Sequence, residues 1–248
     1  MTFGERLRAY AEKDGRGYPD WAVRYEPVVR WLQPYLHAAE PVLEIGANEN
    51  GLARFANRRT VVVDIARDHL AAARATQDVL PVLADCTALP FAPDAFGAIV
   101  CMDTFEHVDE ESREAAVREI VRVTSGAMAV GFPSGAESAC AEERIREDYH
   151  RFCGRTIKWL EEHTANPLPD AESIAQRFSE SCDKEYTVAI RKNANLRMWT
   201  WMWRVLMCGW PGRGNAAFQV LLRWMTPLLC RMHFGTCYRA IVWVEPKR

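Results

Sequence analysis

The chain has 248 residues, of which 49% are hydrophobic, enough to form one α/β domain with a large core. Its net charge of −2 gives no sign of a nucleic-acid partner, and none is expected. The first residues are charged without an apolar signal segment, and no apolar run reaches the ~18 residues that a membrane span needs. The eight cysteines and six histidines show no metal-ligand spacing, so we expect reduced thiols, a cytoplasmic location and no bound metal.

Strands and helices are predicted to alternate after an N-terminal helical segment at 1–38. Short apolar runs indicate buried strands, and the amphipathic or alanine-rich segments between them indicate helices. This alternation implies a parallel sheet covered on both faces. Strands are predicted at 41–46, 60–65, 79–85, 95–103 and 127–133, and helices at 21–37, 51–58, 66–76, 111–123 and, in two or three pieces, 137–180. Two further β-rich segments, 184–191 and 237–245, flank an insertion at about 194–235.

The insertion is rich in tryptophan and methionine. Its first predicted helix places Trp199, Met202, Trp203 and Leu206 on one face. Its second predicted helix is polar at Gln219, Arg223 and Thr226. Two interpretations stay open: a helical hairpin packed on the sheet or on the second subunit of a homodimer, and a lid or peripheral membrane contact through residues 196–232.

Charge is distributed unevenly along the chain. Residues 186–244 contain eight basic residues and no acidic residue, whereas residues 1–185 have a net charge of −11. A sheet core alone does not segregate charge in this way. The bias favours contact with the inner membrane surface or with an anionic acceptor.

Acidic residues come at the ends of three successive predicted strands. Glu44 lies in the first strand, which leads into a glycine-containing turn and a helix, and Asp64 and Asp85 end the next two. The carboxyl ends of parallel strands meet at one edge of the sheet, where open α/β folds bind their ligands. An acid in the position of Asp64 can accept hydrogen bonds from both hydroxyls of a ribose.

The turn after the first strand permits other interpretations. Gly46, Asn48 and Gly51 fit the G-x-G-x-x-G pattern with one substitution, so a nicotinamide-dependent dehydrogenase or a flavin enzyme stays open. A glycine after a strand is also common in turns that bind nothing.

The segment 85–108, DCTALPFAPDAFGAIVCMDTFEHV, resembles the class I S-adenosylmethionine-dependent methyltransferases of the broad subgroup with an L-P-F…H-V pattern. The resemblance covers residues 40–133 well and 160–190 loosely. The matching residues are Glu44, Gly46, Asp64, Asp85, Leu89, Pro90, Phe91, Phe96, Val100, His107 and Val108.

The resemblance implies a Rossmann-like, mostly parallel seven-stranded sheet with helices on both faces and a helical insertion before the last strand. The chain would be one domain, with its sheet core at 39–193 and 236–248 and its insertion at 194–235. S-adenosylmethionine would be the cofactor, and a small molecule, a saccharide or a lipid-linked compound would accept the methyl group, with oxygen as the first choice of atom. Asn48 and Asn50 replace glycines that are usual in the family, which favours the alternative of a non-catalytic binding protein with this fold.

The resemblance also implies roles for single residues. Asp64 would hold the ribose, and Ile65 would pack on the adenine. Asp85 would accept a hydrogen bond from the adenine amino group. The turn after the first strand would approach the methionine part of the cofactor, and the end of the fourth strand would border it. The residues expected at the cofactor are Glu44, Gly46, Ala47, Asn48, Gly51, Asp64, Ile65, Asp85, Cys86, Met102 and Asp103.

A catalytic base is needed only if the acceptor atom carries a proton. The candidates are His107, just beyond the fourth strand, and His150, in the region after the fifth strand where the family builds its acceptor pocket. For His37, His69 and His163, helical surface patterns predict an exposed position.

Overall fold

The computed structural model describes residues 18–36, 40–46, 51–56, 58–74, 78–165, 167–182, 185–208 and 213–247. Within these residues the chain forms a single sheet of seven strands. The strands are β1 (Val42–Ile45), β2 (Thr60–Asp64), β3 (Val79–Leu83), β4 (Phe96–Met102), β5 (Thr124–Pro133), β6 (Tyr186–Asn195) and β7 (Cys237–Pro246).

The strands lie in the order β3-β2-β1-β4-β5-β7-β6. Neighbours from β3 to β5 pair in parallel, whereas β7 runs antiparallel to both β5 and β6. The predicted mostly parallel, seven-stranded Rossmann-like sheet is therefore confirmed. β5 begins at Thr124, three residues before the predicted start. The backbone of this buried threonine is extended, and its hydroxyl donates to the carbonyl of Ile120 (2.6 Å) at the end of the preceding helix.

Helices cover both faces of the sheet, as predicted. One face packs against α4 and α7 through Ile120 and Phe178, and the other packs against α1 through Val28 and Leu32. The helices are α1 (Tyr18–Leu32), α2 (Ala53–Ala56), α3 (Arg67–Ala73), α4 (Glu110–Val123), α5 (Ala136–Cys153), α6 (Lys158–Ala165), α7 (Ala171–Ser181), α8 (Leu196–Trp203) and α9 (Arg213–Leu229), with 3₁₀ turns at Gln33–Tyr35 and Phe105–His107 and a π-helical segment at Arg204–Cys208.

The first helix of the insertion has the predicted orientation. In α8, Trp199 and Met202 are fully buried, Trp203 is partly buried, and Arg197 is exposed. Trp199 stacks on Tyr238 of β7, with 3.4 Å between the ring centroids. This helix therefore packs onto the sheet and belongs to the core.

The second helix of the insertion buries a mixed face, on which Leu222 and Leu229 lie beside two polar residues, and it exposes several large apolar side chains. The polar residues Gln219 and Thr226 of α9 are buried, whereas Leu221, Trp224 and Leu228 are 51%, 75% and 58% exposed. The buried polar row is accommodated because the hydroxyl of Thr226 donates to the carbonyl of Leu222, and because Arg223, the third polar residue of the helix, lies over the ring of Tyr18 in α1. Hydrophobic periodicity identified the two faces of α9 but did not show which one points inward.

A buried ion network connects the insertion and the N-terminal helix to the sheet. Arg239 of β7 donates three hydrogen bonds to the carboxylate of Asp103, two from Nε and one from Nη2, at 2.6–2.9 Å. Arg24 of α1 binds both Asp103 and Asp20, each at 3.0 Å, and the indole of Trp203 donates to Asp20 (3.2 Å). Burial alone would raise the pKa of Asp103, but Arg239 and Arg24 outweigh it and hold that pKa below its usual value.

Breaking this network should destabilise the protein strongly. Arg239→Met leaves two carboxylates, Asp103 and Asp20, with only Arg24 to balance them, and the loss of one partner of a buried ion pair typically costs about 3–5 kcal/mol. Urea unfolding at neutral pH checks this. Arg118→Met is the matched control, because Arg118 forms an ion pair with Glu114 on the exposed face of α4 and should change stability by no more than about 1 kcal/mol. Equal stabilities for the two variants would contradict a structural role for the network.

Candidate active site

The three acidic residues predicted from the strand ends lie at one edge of the sheet. β1 pairs with β2 from Val42 to Ile45, and β2 pairs with β3 so that Asp64 stands opposite Leu83. Asp85 follows β3 two residues later. The carboxyl ends of β1, β2 and β3 therefore form one continuous edge, at the position where open α/β sheets bind ligands.

Glu44 is a buried residue that positions the loop after β1. Its side chain accepts the backbone N–H of Leu52, with distances of 2.7 and 2.9 Å to its two oxygens, and it also accepts a hydrogen bond from Tyr25. Burial raises the pKa of Glu44 to about 7, against the opposing effect of the Leu52 hydrogen bond. Glu44 therefore connects β1, before the turn, to Leu52, after the turn.

Asp64 and Ile65 together offer what a nucleoside needs. The carboxylate of Asp64 accepts the N–H of Ala66 (2.7 Å) and lies 3.2 Å from Nδ1 of His69. The next side chain, Ile65, is 73% exposed although it is aliphatic. An exposed apolar side chain can pack on the base of a nucleoside, and a neighbouring carboxylate can accept hydrogen bonds from its ribose hydroxyls.

Asp85 is held in a tight turn at the end of β3. One of its oxygens accepts both the N–H and the hydroxyl of Thr87, at 2.8 Å each, and these bonds lower the pKa of Asp85. The neighbouring Cys86 is partly buried, and burial with the adjacent carboxylate raises the pKa of its thiol to about 11. Cys86 is therefore a neutral thiol at physiological pH.

Gly46 is required by the close approach of two backbone segments. Its φ is +75°, and a Cβ at this position would meet the side chain of Thr104, with the Thr104 methyl only 2.7 Å away. The hydroxyl of Thr104 in turn donates to the carbonyl of Ile45 (3.2 Å). The end of β4 is thereby packed against the start of the turn that follows β1.

Met102 and Asp103 lie at the expected place, but their side chains are engaged within the protein. Met102 is 1% exposed and would contact any side chain placed at Gly131 of β5. Asp103 has a positive φ of 51° and binds Arg239 and Arg24. Their expected position at the methionine end of the cofactor stays a prediction. Among the other predicted residues, Gly51 is buried, and Ala47 and Asn48, with Asn50, lie outside the described residues.

A cluster of titratable side chains lies beyond the end of β4. His107, in the 3₁₀ turn after β4, has its Nε2 3.4 Å from Nε2 of His163 in α6. Nδ1 of His163 lies 3.0 Å from Glu142 of α5, which also accepts a hydrogen bond from Tyr238 (2.5 Å). The adjacent residue Glu106 is 2% exposed. His150, by contrast, is exposed in the last turn of α5.

The predicted exposure of His163 is wrong, since this residue is only 8% exposed. The sequence KWLEEHTA of α6 places Trp159 four residues before His163, and the two rings are in contact with centroids 5.2 Å apart. Treating His163 as part of the apolar face, together with Leu160, would have predicted its burial. His69 is exposed as predicted, and His37 lies outside the described residues.

Comparison with known proteins decides the class of this site. A family model described as a methyltransferase domain matches residues 43–127. The matched residues include most of β1, all of β2 to β4, the turn at Gly46, and Asp64, Asp85 and His107. No curated protein matches the chain.

Solved methyltransferase structures share the fold over nearly the whole chain. The methyltransferase in a complex with the Haloferax volcanii Trm112 activator is 14% identical, covers 100% of this chain and 98% of its own, and has a TM-score of 0.57. A methyltransferase from Thermotoga maritima gives 13% identity, coverages of 97% and 98%, and a TM-score of 0.56. Magnesium protoporphyrin IX methyltransferase from Synechocystis PCC 6803, solved with bound SAH, is 12% identical, covers 100% of this chain and 89% of its own, and has a TM-score of 0.55.

These comparisons confirm the predicted resemblance to S-adenosylmethionine-dependent methyltransferases: residues 43–127 match the methyltransferase domain, and the solved structures share the predicted fold. The match ends within β5 and leaves α5 to α9 and the last two strands outside it. The family model therefore gives no information on the methyl acceptor from the residues after 127.

Replacing Gly46 should damage the site more than replacing another glycine with a similar backbone angle. Gly46→Ala adds a clash with Thr104 to the cost of a positive φ, for about 1–3 kcal/mol beyond the strain itself. Gly154 has a φ of +63° with no neighbouring atom within 4 Å, so Gly154→Ala should cost only the backbone term, about 1–2 kcal/mol. Unfolding free energies of the two variants provide the comparison. If Gly154→Ala were the more destabilised, the contact between Gly46 and Thr104 would not be a real constraint.

Proposed function

We propose that the protein transfers the methyl group of S-adenosylmethionine to an oxygen atom of a small-molecule, saccharide or lipid-linked acceptor. The observation that carries the proposal is the edge formed by β1, β2 and β3, where Gly46, Asp64 and Asp85 lie within a matched methyltransferase domain. Bound S-adenosylmethionine supplies an electrophilic methyl group on a sulfonium sulfur. The protein contributes by holding the reacting atoms in line, which supplies much of the rate of such a displacement.

The residues at this edge fit the cofactor. Asp64 offers a carboxylate for ribose hydroxyls, and Ile65 offers an exposed apolar surface for the adenine, while Gly46 lets the turn after β1 pack closely against Thr104. Asp85 is held by Thr87 in one orientation, which suits it to a fixed hydrogen bond. The loop from Gly46 to Leu52 is tied at its far end by Glu44.

For an oxygen acceptor we favour His107 over His150 as the base. Burial and the neighbouring His163 lower the pKa of His107, although Glu162 opposes this effect, so the imidazole is neutral at physiological pH and able to accept a proton. His107 follows directly from β4, the strand beside β1. His150 lies on an exposed helix surface instead.

The test of the cofactor site is Asp64→Ala. Hydrogen bonds to a charged group are worth about 1.5–3 kcal/mol, so this variant should bind S-adenosylmethionine at least about tenfold more weakly. Calorimetry measures the affinity directly and needs no acceptor. Asp68→Ala is the matched control, since it removes the same charge four residues away in the first turn of α3. Equal affinity in Asp64→Ala and wild type would remove Asp64 from the site.

The acceptor is proposed to be reached at a membrane surface, through α9. Leu221, Trp224 and Leu228 form an outward apolar row on this helix, while its polar residues face inward. Exposed Arg231 follows the helix. An outward apolar row beside basic side chains suits a peripheral contact with anionic lipid. Among the described residues, no helix is long and apolar enough to cross a membrane.

The membrane contact predicts binding that depends on lipid charge. The protein should sediment with vesicles of phosphatidylserine and phosphatidylcholine much more than with pure phosphatidylcholine, and salt should weaken the binding. A double variant, Trp224→Ser and Leu228→Ser, should lose most of it. Leu80→Ser on strand β3 is the control, because it removes an exposed leucine from the opposite edge of the sheet. If wild type does not sediment with anionic vesicles at low salt, the row on α9 serves another contact.

A further inference from the structure

Two imidazoles face each other across a short gap beside the sheet edge. The Nε2 atoms of His107 and His163 are 3.4 Å apart, and their ring planes are tilted by 50°. The ring of His163 packs against the ring of Trp159, which lies on the same helix, α6. The two nitrogens therefore face each other from two separate elements, the 3₁₀ turn after β4 and the helix α6.

The other nitrogen of each ring is already bound to a carboxylate. Nδ1 of His163 lies 3.0 Å from Glu142, and Nδ1 of His107 lies 3.3 Å from Glu162. An ionised carboxylate can only accept, so each Nδ1 carries a hydrogen, and a ring without a second proton presents a lone pair at Nε2. Two lone pairs facing each other repel unless a metal cation or a shared proton lies between them.

A third acceptor group points to the same place. Glu106 has one oxygen 4.0 Å from Nε2 of His163, and its other oxygen is buried without a hydrogen-bond partner in the described structure. One atom each from Glu106, His107 and His163 lie within 4.8 Å of one another. A buried carboxylate oxygen without a partner is costly unless a cation or another donor satisfies it.

We infer that Glu106, His107 and His163 bind a divalent transition-metal ion, with zinc as the reference ion. Zinc holds nitrogen ligands at about 2.1 Å, and a tetrahedral angle at that length separates two ligand nitrogens by about 3.4 Å. Histidine ligands of metals usually donate their remaining N–H to a carboxylate, as both histidines do here. The site departs from the sequence-based expectation of no metal because its three ligands come from segments about 56 residues apart.

Three protein ligands leave at least one coordination position for water or for an acceptor oxygen. A hydroxyl bound there loses its proton more readily, because the ion stabilises the oxyanion. While His107 is a ligand it cannot accept a proton, so the ion would replace it in activating the acceptor. The binding of the ion itself does not depend on methyl transfer, and its test needs no cofactor or acceptor.

The test is metal binding by the full-length protein after removal of metal with a chelator. Wild type should bind one zinc ion per chain in calorimetry, and should bind magnesium far more weakly because that ion prefers oxygen ligands. The side chain of His107 is partly exposed, so His107→Ala should fold. This variant should weaken zinc binding by more than the 10–100-fold that is typical when a residue hydrogen-bonded to a metal ligand is replaced. Glu162→Gln should fall within that range. His150→Ala should bind as wild type does.

Cobalt provides a second readout that identifies the ligands. Co²⁺ in the site should give a visible spectrum of nitrogen and oxygen coordination without a thiolate charge-transfer band, and His107→Ala should abolish it. A thiolate band would assign the metal to cysteines and overturn the inference. Zinc binding that His107→Ala leaves unchanged would overturn it as well, as would the absence of binding by folded wild type. In the latter case a shared proton joins the two histidines.

Discussion

The carboxylate of Asp103 holds together parts of the chain that lie far apart in sequence. It binds Arg24 from the N-terminal helix and Arg239 from the last strand, and it sits at the end of β4 with a positive φ. Through Asp20 the same network reaches Trp203 of the insertion. Because the four charges are nearly excluded from water, each depends on the others, and the three segments are fixed beside the edge of the sheet.

This arrangement divides the edge into two sides with different chemistry. On the side of β1, β2 and β3, acidic and glycine residues form a surface suited to a nucleoside, and the matched methyltransferase domain covers this part of the chain. On the side of β4, the wall is built by α5, α6 and the insertion, with the imidazoles of His107 and His163 at its base. The proposed cofactor site thus lies within the residues that the family model matches, and the wall beside β4 is built largely by residues beyond that match.

Sequence patterns predicted the positions of the strand-end acids well and the surroundings of β4 poorly, for a physical reason. Glu44, Asp64 and Asp85 follow from strand ends, and strand ends follow from short apolar runs. The partners of Asp103 could not be predicted, since Arg239 is 136 residues away. Periodicity found both faces of α9, yet only tertiary packing against α1 decided that Thr226 is buried and Trp224 exposed. The exposure of His163 was predicted wrongly because histidine was counted as polar in a charged helix, although it shares a helix face with Leu160.

A crystal structure of the protein with S-adenosylhomocysteine tests the central claim most directly. We expect the nucleoside to lie across the carboxyl ends of β1, β2 and β3, with its ribose hydroxyls in hydrogen-bond distance of Asp64 and its adenine against Ile65. The ion network of Asp103 should remain intact beneath it. A ligand bound elsewhere on the protein, or a ribose with no contact to Asp64, would contradict the assignment of this edge as the methyl-donor site.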